Sequence, residues 1–431
     1  MVKRVSREMR DSGVEWIGEI PTDWESASLR KVLRYPITDG PHETPTYLDD
    51  GIPFVSVDSL NESENIDLSI VKKYISLEDY DRFNKKTQLN SADILFTKAA
   101  TIGKTAIVGD EKFMVWSPIA VIKPNEELVH NKFMYFVLSA EKFVRYASLL
   151  GTNNTQINLG MRALEKAKIS FPKNIDEQIR ISEVLTEKVK ELNLLIEKTK
   201  FTIEDYKLLK QSIITEAVTK GLDKNVEMKD SGIEWIGTMP AHWDNLRGKV
   251  ILNKLSRPIL DSDTVVTCFR DGQVTLRSNR REDGFTMADK EIGYQGVEPG
   301  DLVVHGMDGF AGAIGISDSR GKSSPVLNVL DSKQNKKYIM YYLRSMAYSD
   351  VFLAIATGIR VRSCDLRWNK IGDLPYPVPP IEEQEEIVKY IDNKLIQINE
   401  VIERKQGLLE QLETYKKSLI YEYVTGKKEV L

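Results

Sequence analysis

Few residue clusters in this sequence have the types and spacing that catalysis needs. Gly103-Lys104-Thr105 resembles the end of a phosphate-binding GxxxxGK(S/T) loop, but Lys98 stands where its first glycine would be. The glycine-rich run 309–315 lacks GxGxxG spacing, so we predict a tight turn there. The nuclease-like triplets Asp205-Tyr-Lys207 and Glu403-Arg-Lys405 fall in predicted helices, where such charges form solvated faces. The pattern favours a protein without its own reaction.

Composition narrows the class of protein further. The chain has 431 residues, a net charge of -4, 41% hydrophobic residues and 29% charged residues, which fits a soluble protein of two or three domains. No apolar run approaches the ~18 residues of a membrane span, and the charged N-terminus shows no secretory signal. Cys268 and Cys364 form no CxxC pair, and the four histidines lack metal-ligand spacing. We therefore expect a cytoplasmic protein with no metal site and no membrane association.

The chain contains a long internal repeat. Residues 9–25 and 228–244 share ten of 17 positions, and these blocks hold four of the six tryptophans. Further matches follow at offsets of 206–208, among them Asp176-Glu-Gln178 with Glu382-Glu-Gln384. The repeat predicts two copies of one unit, each with a mixed α and β globular part of short strands such as Ile94–Thr97 and Leu302–Val304. Helices are predicted at 131–150 and 336–356.

Each copy continues into a long predicted helix. Nothing interrupts a helix between Gln178 and Gly221, or between Gln384 and about Val424. Apolar residues recur at spacings of three, four and seven, as in a coiled coil. The predicted seam contains Leu185, Leu192, Leu195, Tyr206 and Leu209 in the first helix, and Ile391, Leu395, Ile398, Ile402, Leu409 and Leu412 in the second. At 1.5 Å per residue each helix is about 50 Å long. We expect an antiparallel pair; the alternative is that each helix lies across its own globular part.

The globular parts differ in polar chemistry, which is typical of a repeated scaffold that recognises two different surfaces. Block 25–171 has five arginines and 13 lysines, and block 244–377 has 11 arginines and eight lysines. Arginine suits bidentate contact with guanine, and asparagine or glutamine suits adenine. The candidate DNA-binding residues are Lys98, Lys104, Asn153, Asn154 and Gln156 in the first block, and Arg277, Arg280, Arg281, Arg360, Arg362 and Arg367 in the second. An ordinary solvated surface is the alternative interpretation.

Several of these motifs together resemble the specificity (S) subunit of type I restriction-modification enzymes. The motifs are the repeated DSG(V/I)EWIG blocks at 11–24 and 230–243, and the sequences FPKNIDEQ and PVPPIEEQ before the long helices. Asp39-Gly-Pro-His-Glu-Thr-Pro45 and Gly51-Ile-Pro-Phe-Val-Ser56 also resemble one class of target recognition domain. The resemblance covers essentially the whole chain.

The resemblance implies an α+β fold with two pseudo-symmetric target recognition domains separated by two long antiparallel coiled-coil helices. The expected boundaries are 1–172 and 222–378 for the recognition domains, and 173–221 and 379–431 for the helices. Each domain would read one half of a bipartite site in double-stranded DNA. The helices would set the spacer and dock two methyltransferase (M) subunits, to which two restriction (R) subunits join. S-adenosylmethionine, ATP and Mg would bind those partners, with no cofactor in this chain.

Two other functional classes stay open from the residues alone. One is a nuclease or methyltransferase with unrecognised motifs, which methylation or cleavage by the isolated chain would reveal. The other is a coiled-coil scaffold that binds only protein, for which partner binding would persist without sequence-dependent DNA affinity. The divergence of the polar loops between the repeats favours the DNA-reading class over the scaffold.

Overall fold

The computed structural model describes residues 7–60, 64–151, 158–280, 292–355 and 366–430. The chain forms two compact units: unit 1 comprises Met1–Thr199 and Gly407–Leu431, and unit 2 comprises Lys200–Gln406. This division follows spatial contacts and runs through both long helices. The boundaries predicted at 172, 221 and 378 follow the sequence repeat instead and stay a prediction.

Unit 1 combines short strands with short helices and the first part of a long helix. Its strands are β1 (Met9–Asp11), β2 (Glu19–Pro21), β3 (Trp24–Ser28), β4 (Thr38–Asp39), β5 (Ile52–Val55), β6 (Tyr74–Ile75), β7 (Ile94–Thr97), β8 (Thr105–Ile107), β9 (Met114–Val115), β10 (Ile119–Ile122) and β11 (Lys168–Pro172). Its helices are α1 (Leu77–Thr87), α2 (Asn131–Ser139), α3 (Glu141–Leu149) and α4 (Met161–Lys166), followed by the long α5 (Ile175–Lys220).

The centre of unit 1 is an antiparallel sheet of order β4-β10-β7-β8. Successive side chains of β7 and β10 point to opposite faces, and all of them are buried. Ile94 and Phe96 pack into a core with helix α2, whereas Leu95 packs into a second core with Val55 and Val115. Apolar residues on both faces explain why these strands are continuous hydrophobic runs in the sequence.

Unit 2 repeats this construction. Its strands are β12 (Met228–Asp230), β13 (Thr238–Pro240), β14 (Asp244–Arg247), β15 (Leu252–Lys254), β16 (Val266–Cys268), β17 (Val274–Leu276), β18 (Gln295–Val297), β19 (Leu302–His305), β20 (Ile314–Ile316), β21 (Gly321–Ser323), β22 (Leu327–Ser332) and β23 (Pro375–Val378). Its helices are α6 (Gly248–Ile251), α7 (Lys336–Tyr348), α8 (Val351–Ala354) and α9 (Trp368–Asp373), followed by the long α10 (Ile381–Val424). The sheet order β15-β22-β19-β20 matches that of unit 1 strand for strand.

The mixed α and β fold class with two long helices is confirmed, and the strands predicted at 94–97 and 302–304 are present. The single helix predicted over 131–150 is wrong. Ala140 has φ -63° and ψ 124°, which ends α2 and begins α3. Ala140 is itself buried in the core, so tertiary packing turns the chain at a residue with high helix propensity. The helix predicted over 336–356 ends at Tyr348, because Asp350 adopts a left-handed conformation before α8.

The long helices pack antiparallel within each unit. In unit 2, Ile203 of α5 clusters with Ile398 and Ile402 of α10, while Ile214 shares a core with Ile387. Along the contact, the residue numbers in α10 therefore fall as those in α5 rise, which is the order of an antiparallel pair. In unit 1, Leu185 of α5 shares a core with Leu419 of α10. The predicted antiparallel pairing is confirmed.

The predicted seam needs two corrections. Leu195 and Leu209 are each 45% exposed, whereas Ile196 and Ile203 are buried. The buried stripe continues from Leu192 to Ile196, four residues later, because an α-helix makes one turn every 3.6 residues. The prediction had continued it from Leu192 to Leu195, three residues later. Of the other predicted positions, Leu185, Ile391, Ile398 and Ile402 are buried, and Leu192, Tyr206, Leu395, Leu409 and Leu412 are half-buried.

Gly426, two residues after the end of α10, is expected to be important for stability. Its φ is +70°, and a Cβ there would lie 2.4 Å from Cδ of Pro21. Gly426→Ala should therefore lower the free energy of unfolding by about 1–3 kcal/mol. Gly407→Ala is the matched control, because Gly407 lies inside α10 with open space around its Cα, and it should raise stability by about 0.5–1 kcal/mol. Chemical denaturation measures both; equal effects would contradict this account.

Candidate nucleic-acid interface

The first turns of both long helices anchor them to the globular parts in the same way. In unit 1, the buried Gln178 accepts a hydrogen bond from the backbone N–H of His130 (2.8 Å) and donates to the carbonyl of Pro172 (2.8 Å). In unit 2, the buried Gln384 accepts from the N–H of Asn335 (2.9 Å) and donates to the carbonyl of Pro379 (2.8 Å). These paired contacts give both units the same frame for their loops.

The preceding glutamates bind the tryptophans of the repeated block. Nε1 of Trp24 donates to Glu177 (3.2 Å), and Nε1 of Trp243 donates to Glu383 (3.1 Å). Both tryptophan side chains are almost completely buried. The two parts of the repeat that are far apart in sequence therefore form one junction in each unit.

The candidate interface of unit 1 is the loop 98–104 between β7 and β8. The N–H of Lys98 donates to the carbonyl of Pro118 (2.8 Å), and the N–H of Leu159 donates to the carbonyl of Lys98 (2.9 Å). Ala99 also forms an antiparallel bridge with Asn158. This loop therefore adjoins the residue that follows the Asn-rich run; Asn153, Asn154 and Gln156 themselves lie outside the described residues.

Both lysines of this loop already have protein partners. Lys98 is 6% exposed, and its Nζ lies 3.4 Å from Oδ2 of Asp39. Nζ of Lys104 donates to the carbonyl of Val57 (2.9 Å) and is half-buried. A phosphate would have to replace or share these partners, so Lys98 positions the loop as much as it offers charge. DNA contact by either lysine stays a prediction.

Asp39, which was not among the predicted site residues, is the shared partner of several basic side chains. Its side chain is completely buried and lies 2.9 Å from Nε2 of His42 and 3.3 Å from Nζ of Lys86, in addition to Lys98. The hydroxyl of Thr87 donates to its backbone carbonyl (3.2 Å). Only the motif Asp39–Pro45 signalled this site in the sequence, because the distances between three segments that are separated in the chain cannot be read from their order.

The equivalent loop of unit 2 follows β19. The N–H of Leu366 donates to the carbonyl of Gly306 (2.8 Å), which repeats the contact between Leu159 and Lys98. Arg270 joins this loop to the turn between β16 and β17 through an ion pair with Asp308 (2.9 Å). Because Asp271 also pairs with Arg280 (2.6 Å), three segments of unit 2 meet around exposed arginines.

The predicted arginines of unit 2 fall into two groups. Arg280 lies over the ring of Phe269 at 4.3 Å, Nε of Arg277 donates to Oγ1 of Thr267 (3.3 Å), and Arg367 is exposed at the start of α9. Arg281, Arg360 and Arg362 lie outside the described residues. Arg270 was missed by the sequence analysis, although the Arg-Asp-Gly turn in which it lies could have indicated an exposed position.

Two titratable groups in unit 2 are held uncharged. Burial lowers the pKa of His305, whose Nδ1 accepts hydrogen bonds from the N–H groups of Met307 (3.2 Å) and Asp308 (2.9 Å). Burial also raises the pKa of the Cys268 thiol to about 12, which makes it a poor nucleophile. His305 therefore shapes the loop as a neutral acceptor.

Two other kinds of feature are absent from the described ranges. No group of three or more His, Cys, Asp or Glu side chains there is arranged to hold a metal ion. None of the helices in the same ranges is both long enough and apolar enough to cross a membrane.

Comparison with known proteins gives consistent matches. Residues 21–205 match the family model of the type I restriction modification DNA specificity domain. A Methanocaldococcus jannaschii protein, described as the specificity subunit of the type I restriction enzyme MjaX, is 24% identical and covers 96% of each chain. The MjaVIII specificity subunit of that organism is 21% identical, over 95% of this chain and 94% of its own length.

Two solved structures share the fold over most of their length. A chain from a structural study of complex assembly and conformational transition of the type I R-M system has a TM-score of 0.68 at 13% identity, and the match covers 95% of this chain and 99% of that one. The HsdS subunit of Thermoanaerobacter tengcongensis has a TM-score of 0.50 at 15% identity, over 95% and 98%. The family model over residues 21–205 and the named relatives over 95–96% of the chain agree: this chain is similar to type I restriction-modification specificity subunits, and it shares the fold of the two solved structures.

Proposed function

We propose that this chain is the DNA-reading subunit of a type I restriction-modification complex and has no catalytic activity of its own. Each unit reads one half of a bipartite site in double-stranded DNA. Two M subunits, which carry S-adenosylmethionine, dock on the helices, and two R subunits, which use ATP and Mg, join through the M subunits. The candidate contacts are Lys98, Lys104, Asn153, Asn154 and Gln156 in the first half of the chain, and Arg277, Arg280, Arg281, Arg360, Arg362 and Arg367 in the second.

One observation carries the proposal: the two units share a scaffold but differ in the chemistry of the same loop. Lys98 in unit 1 and Gly306 in unit 2 accept the same backbone hydrogen bond from the segment that follows a glycine. In the sequence before Leu159 stand the amides Asn153, Asn154 and Gln156, whereas Arg360 and Arg362 stand before Leu366. A repeated frame with different hydrogen-bonding side chains suits two different base sequences, because base edges are distinguished by their donors and acceptors.

The proposal is tested by sequencing adenine methylation in a host without its own systems, expressing this chain with its M subunit. One bipartite motif with a constant gap is the expected result. A stable complex that methylates no defined motif would contradict DNA reading and favour a protein-only scaffold. Methylation by the isolated chain with S-adenosylmethionine would contradict the non-catalytic role.

Exposed apolar residues on α5 support M-subunit docking and give a second test. Phe201 is 70% exposed and Leu208 is 61% exposed. Seven residues apart, they lie on one face of the helix. Burial of a phenylalanine contributes about 1.5–3 kcal/mol, so Phe201→Asp should weaken M-subunit binding by tenfold or more. Asn225→Asp, which adds the same charge at an exposed position outside both long helices, is the control, and calorimetric titration is the measurement. Unchanged affinity for Phe201→Asp would place docking elsewhere.

We also propose that the helices set the spacer between the half-sites. Inserting matched heptads into α5 and α10 should lengthen the methylated motif's gap, because each heptad adds about 10 Å of helix. Insertion into one helix alone should disrupt assembly, since the cross-helix bonds Lys210–Asn399 (2.7 Å) and Lys416–Asn193 (3.1 Å) could not both stay in register. A longer helical pair with an unchanged gap would refute the spacer role.

A further inference from the structure

The turn after β4 can be made only with glycine at position 40. A Cβ on Gly40 would lie 1.9 Å from the carbonyl oxygen of Val115 and 2.8 Å from the carbonyl carbon of Trp116. The backbone therefore runs directly against the 115–116 segment before Pro41 and His42. This close approach brings the imidazole of His42 back to the carboxylate of Asp39, which lies three residues earlier, in the edge strand β4.

Helix α1 fixes the same turn from the other side. The hydroxyl of Thr87 donates to the carbonyl of Asp39 (3.2 Å), and the hydroxyl of Thr38 donates to the carbonyl of Thr87 (3.2 Å). Arg82 of α1 forms an ion pair with Glu43. A side chain presented by this turn is therefore held in place before any ligand arrives, which lowers the entropy cost of binding.

The charges around Asp39 are divided between the interior and the solvent. The carboxylate is completely buried, and the side chain of Lys98 is 8% exposed. The side chains of Lys86 and His42 are 65% and 64% exposed. The Nζ atoms of Lys86 and Lys98 and the Nε2 atom of His42 thus surround one carboxylate. Lys86 and His42 are therefore the solvent-facing groups of the cluster, and of these two only the imidazole can also accept a hydrogen bond.

Asp39 also determines which ring nitrogen of His42 carries the proton. An ionised carboxylate only accepts hydrogen bonds, so Nε2 of His42, at 2.9 Å, is the donor. In the neutral ring, Nδ1 is then an acceptor. Phosphate oxygens have no proton to donate, whereas the major-groove edges of adenine and cytosine present the N6 and N4 amino groups.

We infer that His42 is a specificity-determining residue, whose Nδ1 accepts a hydrogen bond from the exocyclic amino group of adenine or cytosine in the half-site of unit 1. Asp39 is its positioning residue, since it fixes the tautomer and the orientation of the ring. This inference rests on the proposed function, because it assigns one base contact within the half-site that unit 1 reads. Lys98 connects this contact to loop 98–104 through the same carboxylate.

The test combines His42 variants with DNA that lacks one amino group. Once the methylated motif is known, each adenine of the unit 1 half-site is replaced by purine and each cytosine by 2-pyrimidinone. Affinity is measured for the full chain in complex with its M subunits. At one position, loss of the amino group should weaken wild-type binding about three- to tenfold, the effect of one hydrogen bond. His42→Ala should bind both DNAs equally.

Three further variants separate this role from a structural one. Thr44→Ala, at an exposed position of the same loop, should discriminate as the wild type does. His42→Gln, which retains an acceptor, should keep part of the discrimination. Asp39→Asn presents an amide that can donate to Nε2 and reverse the tautomer, so discrimination should fall although His42 is present. If the His42→Ala protein does not accumulate, the His42→Gln and Asp39→Asn variants decide the outcome with the same analogue DNAs.

Two results would overturn the inference. One is an amino-group dependence that His42→Ala leaves unchanged at every position of the half-site. The other is that His42→Ala loses the same affinity for cognate and non-cognate DNA, and that its binding depends less on salt concentration than binding by the wild type. That result would indicate a phosphate contact. Absence of any bipartite motif with the wild-type complex is a different result, since it contradicts the proposed function itself.

Discussion

Replacement of residues 25–171 by the matching block of another specificity subunit is expected to change one half of the methylated motif and leave the other half intact. The cut points suit such an exchange, because Glu25 and Phe171 are directly paired on β3 and β11. Paired residues lie about 5 Å apart, so both ends of the incoming block join the chain at the same place, on β3 and β11. Methylation sequencing measures the outcome.

The reciprocal exchange is the control for this prediction. Residues 244–377 begin and end beside the pair formed by Asp244 and Val378 on β14 and β23. Their replacement should change the other half-site and leave the first one intact. A change of both halves after either exchange would contradict independent reading by the two units, whereas a change of the gap would contradict the spacer role of the helices.

Gln178→Leu is expected to cause a large loss of stability. The buried side chain accepts one backbone hydrogen bond, from His130, and donates two, to the carbonyls of Leu128 (3.0 Å) and Pro172. Leucine satisfies none of these groups, and each unsatisfied buried group costs about 1–3 kcal/mol. The total of roughly 3–9 kcal/mol for the three groups is a large part of the ~5–15 kcal/mol that stabilises a domain.

Hydrogen exchange measured by mass spectrometry can localise this effect. Gln178→Leu should accelerate exchange in β11 and α2 of unit 1, and Gln384→Leu should do the same for β23 and α7 of unit 2. Gln406→Leu is the control, because Gln406 is exposed on α10, and it should change stability by less than about 0.5 kcal/mol. Protection that is unchanged in Gln178→Leu would show that the helix is anchored by other contacts.

The overall architecture could be predicted because each element was indicated by two matching stretches of sequence, one in each copy of the repeat. The tryptophan blocks and the Asp-Glu-Gln and Glu-Glu-Gln motifs marked matching junctions, and the strands at 94–97 and 302–304 are apolar runs too short for a helix. The break at Ala140 could not be predicted, since alanine favours a helix and only packing turns the chain there. Leu195 and Leu209 show a similar limit, because a one-residue error in phase moves a side chain to another helix face.

The candidate site was predicted only as far as residue type and loop position allow. Lys98 was chosen for its charge next to a glycine-containing loop, but its charge is used largely inside the protein, at Asp39. Asp39 and His42 stand three residues apart in one motif, yet the contacts with Lys86 and Lys98 join residues far apart in sequence. Such contacts follow from sheet topology, which the order of residues does not reveal.

The composition of unit 1 has a consequence for biosynthesis. Its first 199 residues emerge early from the ribosome, but its last segment is Gly407–Leu431. The carbonyl of Val424 accepts a bond from the hydroxyl of Ser170 (3.2 Å), and the hydroxyl of Tyr421 donates to the carbonyl of Ile17 (3.0 Å). At 5–20 residues per second, translation of residues 200–406 takes about 10–40 s. The unit whose synthesis begins first is therefore completed last. Until Gly407–Leu431 has been made, the face of α5 that packs against α10 stays exposed and needs protection from aggregation.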